Sequence, residues 1–297
     1  MKKVLSLVFA IIFIGTVTAC APQQEDKQQT QEKKINVVTS FYPLSDIVAK
    51  VGKERVTLKN LVSAGLEPHD YELTPQDIIG LNSANLVIYN GAGLEPWSEK
   101  IVPQLQKNTV RTFNVSSIFG NASDDPHFWL SPINYIKEVA AIKNQLAEID
   151  PEKREFYGQN ANFFIDQLNQ LDLDYKTGLK TCKLNTFVTT HAAFGYLAKE
   201  YKLEMLPVAG ISPEAEPSTK TLIEVSKTIK NKKINYVLVE NLAETKIADV
   251  LAKETGAKIL QLSPLESLTK EETANGEDYI SVMRKNLKNL RTALECN

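Results

Sequence analysis

Histidine is nearly missing from this chain: there are three in 297 residues, and cysteine is equally scarce at three. With so few cysteines and no Cys-x-x-Cys, a thiolate metal cluster and thioredoxin-like redox chemistry are excluded. There is no His-Glu-x-x-His and no Gly-x-Ser-x-Gly, so the helix-borne zinc peptidase site and the serine nucleophile elbow are absent too. Gly91-x-Gly93 runs on to Pro96 without a third glycine opening a helix, which argues against a dinucleotide loop. The formal net charge is −2, so there is no electrostatic case for nucleic acid or an anionic lipid surface.

What is present begins with a processing signal. Lys2 and Lys3 precede an apolar run of fourteen residues, Val4 to Val17, too short to span a bilayer comfortably but suited to the core of a secretion signal. It ends in Val17-Thr18-Ala19-Cys20, which resembles the lipobox of bacterial lipoproteins, so residues 1–19 are expected to be removed and Cys20 to be acylated. The stretch that follows, "APQQEDKQQTQEKK", has five Gln and no aromatic residue, and it buries too little apolar surface to order itself. Residues 20–34 therefore read as a tether, its reach on the order of 20 Å, that holds the protein outside the cytoplasm and close to a membrane. In an exported chain the two remaining cysteines, Cys182 and Cys296, are expected to pair.

Beyond the tether, short apolar runs alternate with amphipathic segments. "INVVTS", "VTLKNLVS", "NLVIYN" and "TVRTFN" lie in the first half, and "TFVTT", "LEMLPVA", "YVLVE" and "KILQL" in the second. This alternation predicts two α/β lobes with mostly parallel sheets, over residues 35–150 and 181–297. Between them Tyr157, Ala161, Phe164, Leu168, Leu171, Tyr175 and Leu179 recur at helical spacing. They predict one long rigid helix over 151–180, about 40 Å at the standard rise.

Ligands of open parallel sheets gather beyond the carboxyl ends of the strands. His69 follows "VTLKNLVS", His127 follows "TVRTFN", and His191 ends "TFVTT", so all three histidines fall at such positions. A cleft between facing lobes would bring them together, and three neutral imidazoles suit Zn²⁺. A fourth donor is expected beyond a strand of the second lobe. "KILQL" leads into "SPLESLT" and Glu266; Glu240, at the end of "YVLVE", and a water molecule are the alternatives. Asp124 and Asp125 read as a solvated acidic loop, with support of the His127 ring as the alternative, and Trp97 and Trp129 as packing and cleft-lining residues.

The motifs "GLEPHDYELTPQDI", "NGAGLEPW", "DDPHFWLSP", "THAAFGYLAKEY", "GISPEAEPS" and "LSPLESLT" together resemble the metal-specific (cluster A-I) solute-binding lipoproteins of zinc and manganese ABC importers. The likeness runs in register from Ile35 to Glu295 and is greatest to the zinc-binding, ZnuA-type members. It implies two (β/α)4 lobes, each with a four-stranded sheet, joined by one long helix, with the metal in the interlobe cleft. It implies His69, His127, His191 and Glu266 as ligands. Manganese binders of the family typically carry Glu at the third position and Asp at the fourth, so His191 favours zinc. The long His- and acid-rich loop of many zinc members is reduced here to "FGNASDDP".

The expectation is thus a monomeric extracytoplasmic receptor, anchored by lipid, that passes Zn²⁺ to an ABC permease and its ATPase. Mn²⁺ is a second ion that such a site could hold. A zinc-dependent hydrolytic enzyme is the rival, but it needs an open coordination position and a spare acid or base. A surface adhesin would use the tether and not the site.

Overall fold

The computed structural model describes residues 34–120, 124–213, 216–240 and 246–297. The signal segment, Cys20 and the tether up to residue 33 lie outside these. No helix among the described residues is long and apolar enough to cross a membrane.

The apolar runs build two sheets of four parallel strands each. The first holds β1 (Ile35–Thr39), β2 (Val56–Asn60), β3 (Leu86–Tyr89) and β4 (Arg111–Asn114) in the order β2-β1-β3-β4. In the second, β5 (Thr186–Thr189), β6 (Glu204–Pro207), β7 (Tyr236–Val239) and β8 (Lys258–Gln261) repeat that order as β6-β5-β7-β8. The inner strands are covered on both faces, which is why β3 and β7 are runs of three buried aliphatic residues beside a tyrosine. Three helices, α1 (Tyr42–Gly52), α2 (Pro75–Asn82) and α3 (Ser98–Lys107), cross over within the first sheet, and α4 (Pro132–Ile149) follows it. After α5 (Arg154–Gly178), the second sheet has α6 (Gly195–Glu200), α7 (Thr219–Lys232) and α8 (Lys246–Thr255), then α9 (Lys270–Ala274) and α10 (Tyr279–Ala293). Local chemistry sets several helix starts: Thr74 and Asp77 form a reciprocal capping box in front of Pro75, and Asp278 and Ser281 do the same for α10.

The long helix α5 has 25 residues, about 37 Å of rise. It begins at Arg154 and not at Pro151, because residues Pro151–Lys153 form a separate 3-10 turn. Asp150, directly before the proline, is held out of the α region at φ −126° and ψ 74°, so the helical path can only start after it. α5 packs against α1, α4 and α10. Near its start Asn160 donates to the Val51 carbonyl at 3.0 Å, and near its end the Tyr175 hydroxyl donates to the Met283 carbonyl at 2.7 Å.

The halves are further joined across a polar and aromatic seam. Trp129 Nε1 donates to the Pro264 carbonyl at 2.7 Å, and Tyr279 Oη donates to the Trp129 carbonyl at 2.6 Å. The Tyr135 and Tyr279 rings stack with centroids 3.7 Å apart. Gly65, at φ 86°, turns its N–H onto the Leu268 carbonyl at 2.9 Å. A single apolar core therefore runs through both halves, with a smaller cluster on the outer side of each sheet. Trp97 belongs to the outer cluster of the first sheet, whereas Trp129 is fully buried at the seam. Cys182 and Cys296 form a disulfide that ties the approach to β5 to the end of α10. Closing a loop of 114 residues constrains the unfolded chain by about 4–5 kcal/mol in the chain-entropy picture.

Two outcomes follow from this seam. Tyr279→Phe keeps the stacked ring but strands the buried Trp129 carbonyl, so unfolding in urea should show stability reduced by about 1–3 kcal/mol with an unchanged m-value. With α5 and the seam holding the halves, solution scattering should give nearly equal radii of gyration for metal-free and metal-loaded protein. A compaction of several ångströms on loading would contradict the rigid connection.

Candidate metal centre

Every residue of the cluster sits beyond the carboxyl end of a strand. His69 lies in the loop after β2, His127 after β4, His191 two residues past β5, and Glu266 in the loop after β8. The structure brings all four together, with one potential ligand atom from each lying within 4.8 Å of the others. Oε1 of Glu266 is the hub: it stands 3.1 Å from His127 Nε2, 3.4 Å from His69 Nε2 and 3.7 Å from His191 Nε2. In a tetrahedral zinc site with bonds near 2.0–2.1 Å, neighbouring donors are about 3.3 Å apart, so these separations fit one ion. His69 Nε2 and His191 Nε2 are buried and make no protein hydrogen bond, which is what a donor reserved for a ligand looks like.

The far ring nitrogens of two histidines are clamped by carboxylates. His127 Nδ1 lies 2.8 Å from Asp125 Oδ1, which also accepts the His127 backbone N–H at 3.0 Å. His191 Nδ1 is held by Glu240 Oε1 in a short contact, and Thr190 Oγ1 donates to the same oxygen at 2.7 Å. Each clamp sets Nδ1 as the donor and turns Nε2 toward the centre, the usual arrangement of a carboxylate–histidine–metal chain.

The family of zinc-uptake complex component A, periplasmic, has a model that matches residues 37–293 of this chain. The chain belongs to the ZnuA family. It is 37% identical over 310 residues to the zinc-binding lipoprotein AdcA of Streptococcus pneumoniae, over 98% of this chain but 61% of that relative. It therefore spans less than two thirds of AdcA's length. It is 35% identical to the high-affinity zinc uptake system protein ZnuA of Bacillus subtilis, with 99% of each chain covered. In three dimensions it is similar to the Zn(II)-bound ZnuA-like domain of S. pneumoniae AdcA, with a TM-score of 0.79 and 39% identity. That match covers 88% of this chain and 99% of the domain.

The four residues of this ZnuA-family cluster are carried by loops with built supports. Asn286 of α10 grips Ser263 from both sides, accepting its N–H at 2.9 Å and donating to its carbonyl at 2.7 Å. With the Trp129–Pro264 bond, this fixes the approach to Glu266. Leu265, directly before it, is forced to φ 56°, a left-handed conformation that costs a branched side chain about 1–3 kcal/mol. On the other side, Glu95 is buried and accepts the N–H groups of Asn90 at 2.7 Å and Gly91 at 2.9 Å. Asn90 Nδ2 in turn donates to the Pro126 carbonyl at 2.9 Å, next to His127. "NGAGLEPW" is thus a bracket for the His127 loop.

Sequence reasoning missed the bracket. Of the two readings of the acidic pair, the structure bears out the alternative for Asp125, which orients His127. Glu240, considered as a fourth donor, spends Oε1 on His191 Nδ1. Glu67 stands beside His69, whose backbone N–H it receives at 3.4 Å.

Charge in the metal-free cluster follows from these contacts. Burial works against a charged His191, but the bond to Glu240 and the nearby Glu266 carboxylate outweigh it and raise its pKa from 6.5 to about 10. His127 behaves likewise: burial opposes the charge, and Asp125 and Glu266 raise its pKa overall. For Glu266 burial favours the neutral acid, yet the three imidazoles hold its carboxyl well below the usual range. Burial and then the neighbouring Glu266 carboxylate push Glu67 up to about 9.

Because its folded pKa is raised, His191 stabilises the metal-free protein fully below pH 6.5 and loses that contribution as pH rises through about 10. A metal needs Nε2 deprotonated. Below pH 10, each unit of falling pH should therefore weaken the apparent zinc affinity about tenfold through His191 alone. Calorimetry at pH 7.5 in buffers of different ionisation enthalpy should show at least one proton released per zinc. Glu240→Gln should release fewer protons and weaken binding about 10–100-fold.

Proposed function

We propose that this chain is the extracytoplasmic receptor that captures Zn²⁺ for an ABC importer, with His69, His127, His191 and Glu266 as its ligands. One observation carries the reading: three imidazole nitrogens surround one buried carboxylate oxygen at 3.1–3.7 Å, the spacing of a four-coordinate N/O site. Zinc is the cargo, and binding needs no chemical step. Three neutral imidazoles and one carboxylate replace the water shell of the ion, leaving about one net positive charge inside the protein. Histidine-rich tetrahedral donors favour Zn²⁺, whereas Mn²⁺ prefers more oxygen ligands and six-coordination. The names of the relatives AdcA and ZnuA, and the zinc-bound state of the AdcA domain, support the same ion.

The partners in this reading are a membrane permease and its ATPase, to which a monomeric receptor delivers the ion. Cys20, in its lipobox-like context, carries the lipid that keeps the receptor at the membrane. The observation against an enzyme is that all three histidines of the chain aim Nε2 at one point. No imidazole remains to act as acid or base beside the metal, and the fourth corner is filled by Glu266.

Protein purified without added metal should contain zinc at about one ion per chain by mass spectrometry, and zinc should displace Mn²⁺ in competition. Glu266→Gln keeps shape and removes charge, so zinc affinity should fall at least tenfold, about 1.4 kcal/mol. Wild-type affinity in that variant would remove Glu266 from the ligand set. Stoichiometric binding of Mn²⁺ in preference to Zn²⁺ would overturn the assignment of cargo.

A further inference from the structure

His127 and His191 belong to opposite halves, yet their ring centroids lie 5.3 Å apart. The carboxylate clamps do not account for that. Asp125 belongs to the loop of His127, and Glu240, directly after β7, to the half that carries His191. Each clamp turns a ring within its own half and leaves the distance between the halves unset.

The first turn of α6 reaches across. It starts at Gly195, four residues past His191, and packs on the 3-10 turn Phe128–Leu130 that follows His127. Tyr196 Oη donates to the Asp125 carbonyl at 3.1 Å, and its ring lies 5.0 Å from that of the buried Phe128. These contacts fall on either side of His127 in the chain. Pro126 lies between, and its own carbonyl takes Asn90 Nδ2 at 2.9 Å from the first half. The His127 loop is therefore gripped from both halves at successive carbonyls. Gly195 permits the approach: a Cβ there would stand 2.8 Å from Asp125 Oδ2, closer than two such atoms can pack.

We infer that Tyr196 is a positioning residue that latches the His127 loop to the His191 loop across the seam, so that the two imidazoles are held at metal-binding separation before an ion arrives. The inference rests on the receptor reading above and says how its site is kept assembled. Tyr196 supplies no donor to the ion; it acts through the Asp125 backbone and the Phe128 ring. Without the latch, the metal-free chain divides its time between joined and parted loops. Only the joined fraction binds, so the apparent affinity falls by that fraction. Once bound, the ion itself joins the two loops and the latch is redundant.

Tyr196→Phe removes the hydroxyl and keeps the ring. In metal-free protein, hydrogen exchange over residues 124–131 should quicken about fivefold, the weight of one neutral hydrogen bond, with β5 unchanged. Stopped-flow mixing with Zn²⁺ should show association slowed about fivefold and dissociation into excess EDTA unchanged within about twofold. A group that merely supported the fold would loosen the bound site as well and speed dissociation. Gly195→Ala should also slow association, by pressing on Asp125. In an Asp125→Ala background, where the carboxylate is gone, Gly195→Ala should add nothing further. Unchanged exchange over residues 124–131 in Tyr196→Phe overturns the latch. So does faster dissociation with unchanged association, or a Gly195→Ala effect that persists beside Asp125→Ala. Failure of the wild type to bind zinc would remove the receptor reading instead, while the exchange experiment, which uses no metal, would still read the latch.

Discussion

A single buried carboxylate oxygen organises this protein. Oε1 of Glu266, from the second half, collects imidazoles from both: His69 and His127 from the first and His191 from its own. An isolated anion at that depth would be costly, and three unpaired imidazole nitrogens beside it would be too. Together they offset one another, and protons fill the place of an ion when none is bound. The neighbouring features serve this arrangement. The Asn286 grip, the left-handed Leu265 and the Trp129–Pro264 bond hold the carboxylate still. Asp125 and Glu240 orient two of the rings that face it.

The scaffold explains why two halves are needed. In each sheet the strand order leaves loops converging beyond the carboxyl ends, and the halves set those ends against each other. α5 and the Tyr135–Tyr279 stack limit how far the halves can part. In the receptor reading, specificity would come from a nearly preformed cage more than from wide closure. A preformed cage discriminates by donor type and spacing, which suits an ion that must be told from chemically similar neighbours.

Much of this was legible in the sequence, for physical reasons that differ from element to element. Buried parallel strands announce themselves as short aliphatic runs, and α5 as a stripe at helical period from Tyr157 to Tyr175. Within the expected span 151–180, the helix itself starts at Arg154, after the 3-10 turn Pro151–Lys153. The histidines stood out because they are rare and fall at strand ends. Glu266 followed from position, since the second half needed a donor. The clamps were harder to see: Asp125 could be suspected only from its place two residues before His127, and with 36 acidic residues in the chain nothing local marks Glu240 as facing an imidazole. Asn90 and Glu95 were invisible for another reason, as their work is done on backbone groups distant in sequence.

The four cluster residues are spread from His69 to Glu266 along the chain, one in each of four separate loops. No fragment of the polypeptide holds more than a part of the cage, so the unfolded chain has almost no grip on the ion. Binding is then linked to the native state of the whole molecule, and its free energy adds to global stability by mass action. A chain that crosses a membrane unfolded would arrive empty, whatever metal the cytoplasm contains. Loading would have to wait until both halves had folded on the far side, so the compartment in which the chain folds would select its cargo as much as the donors do.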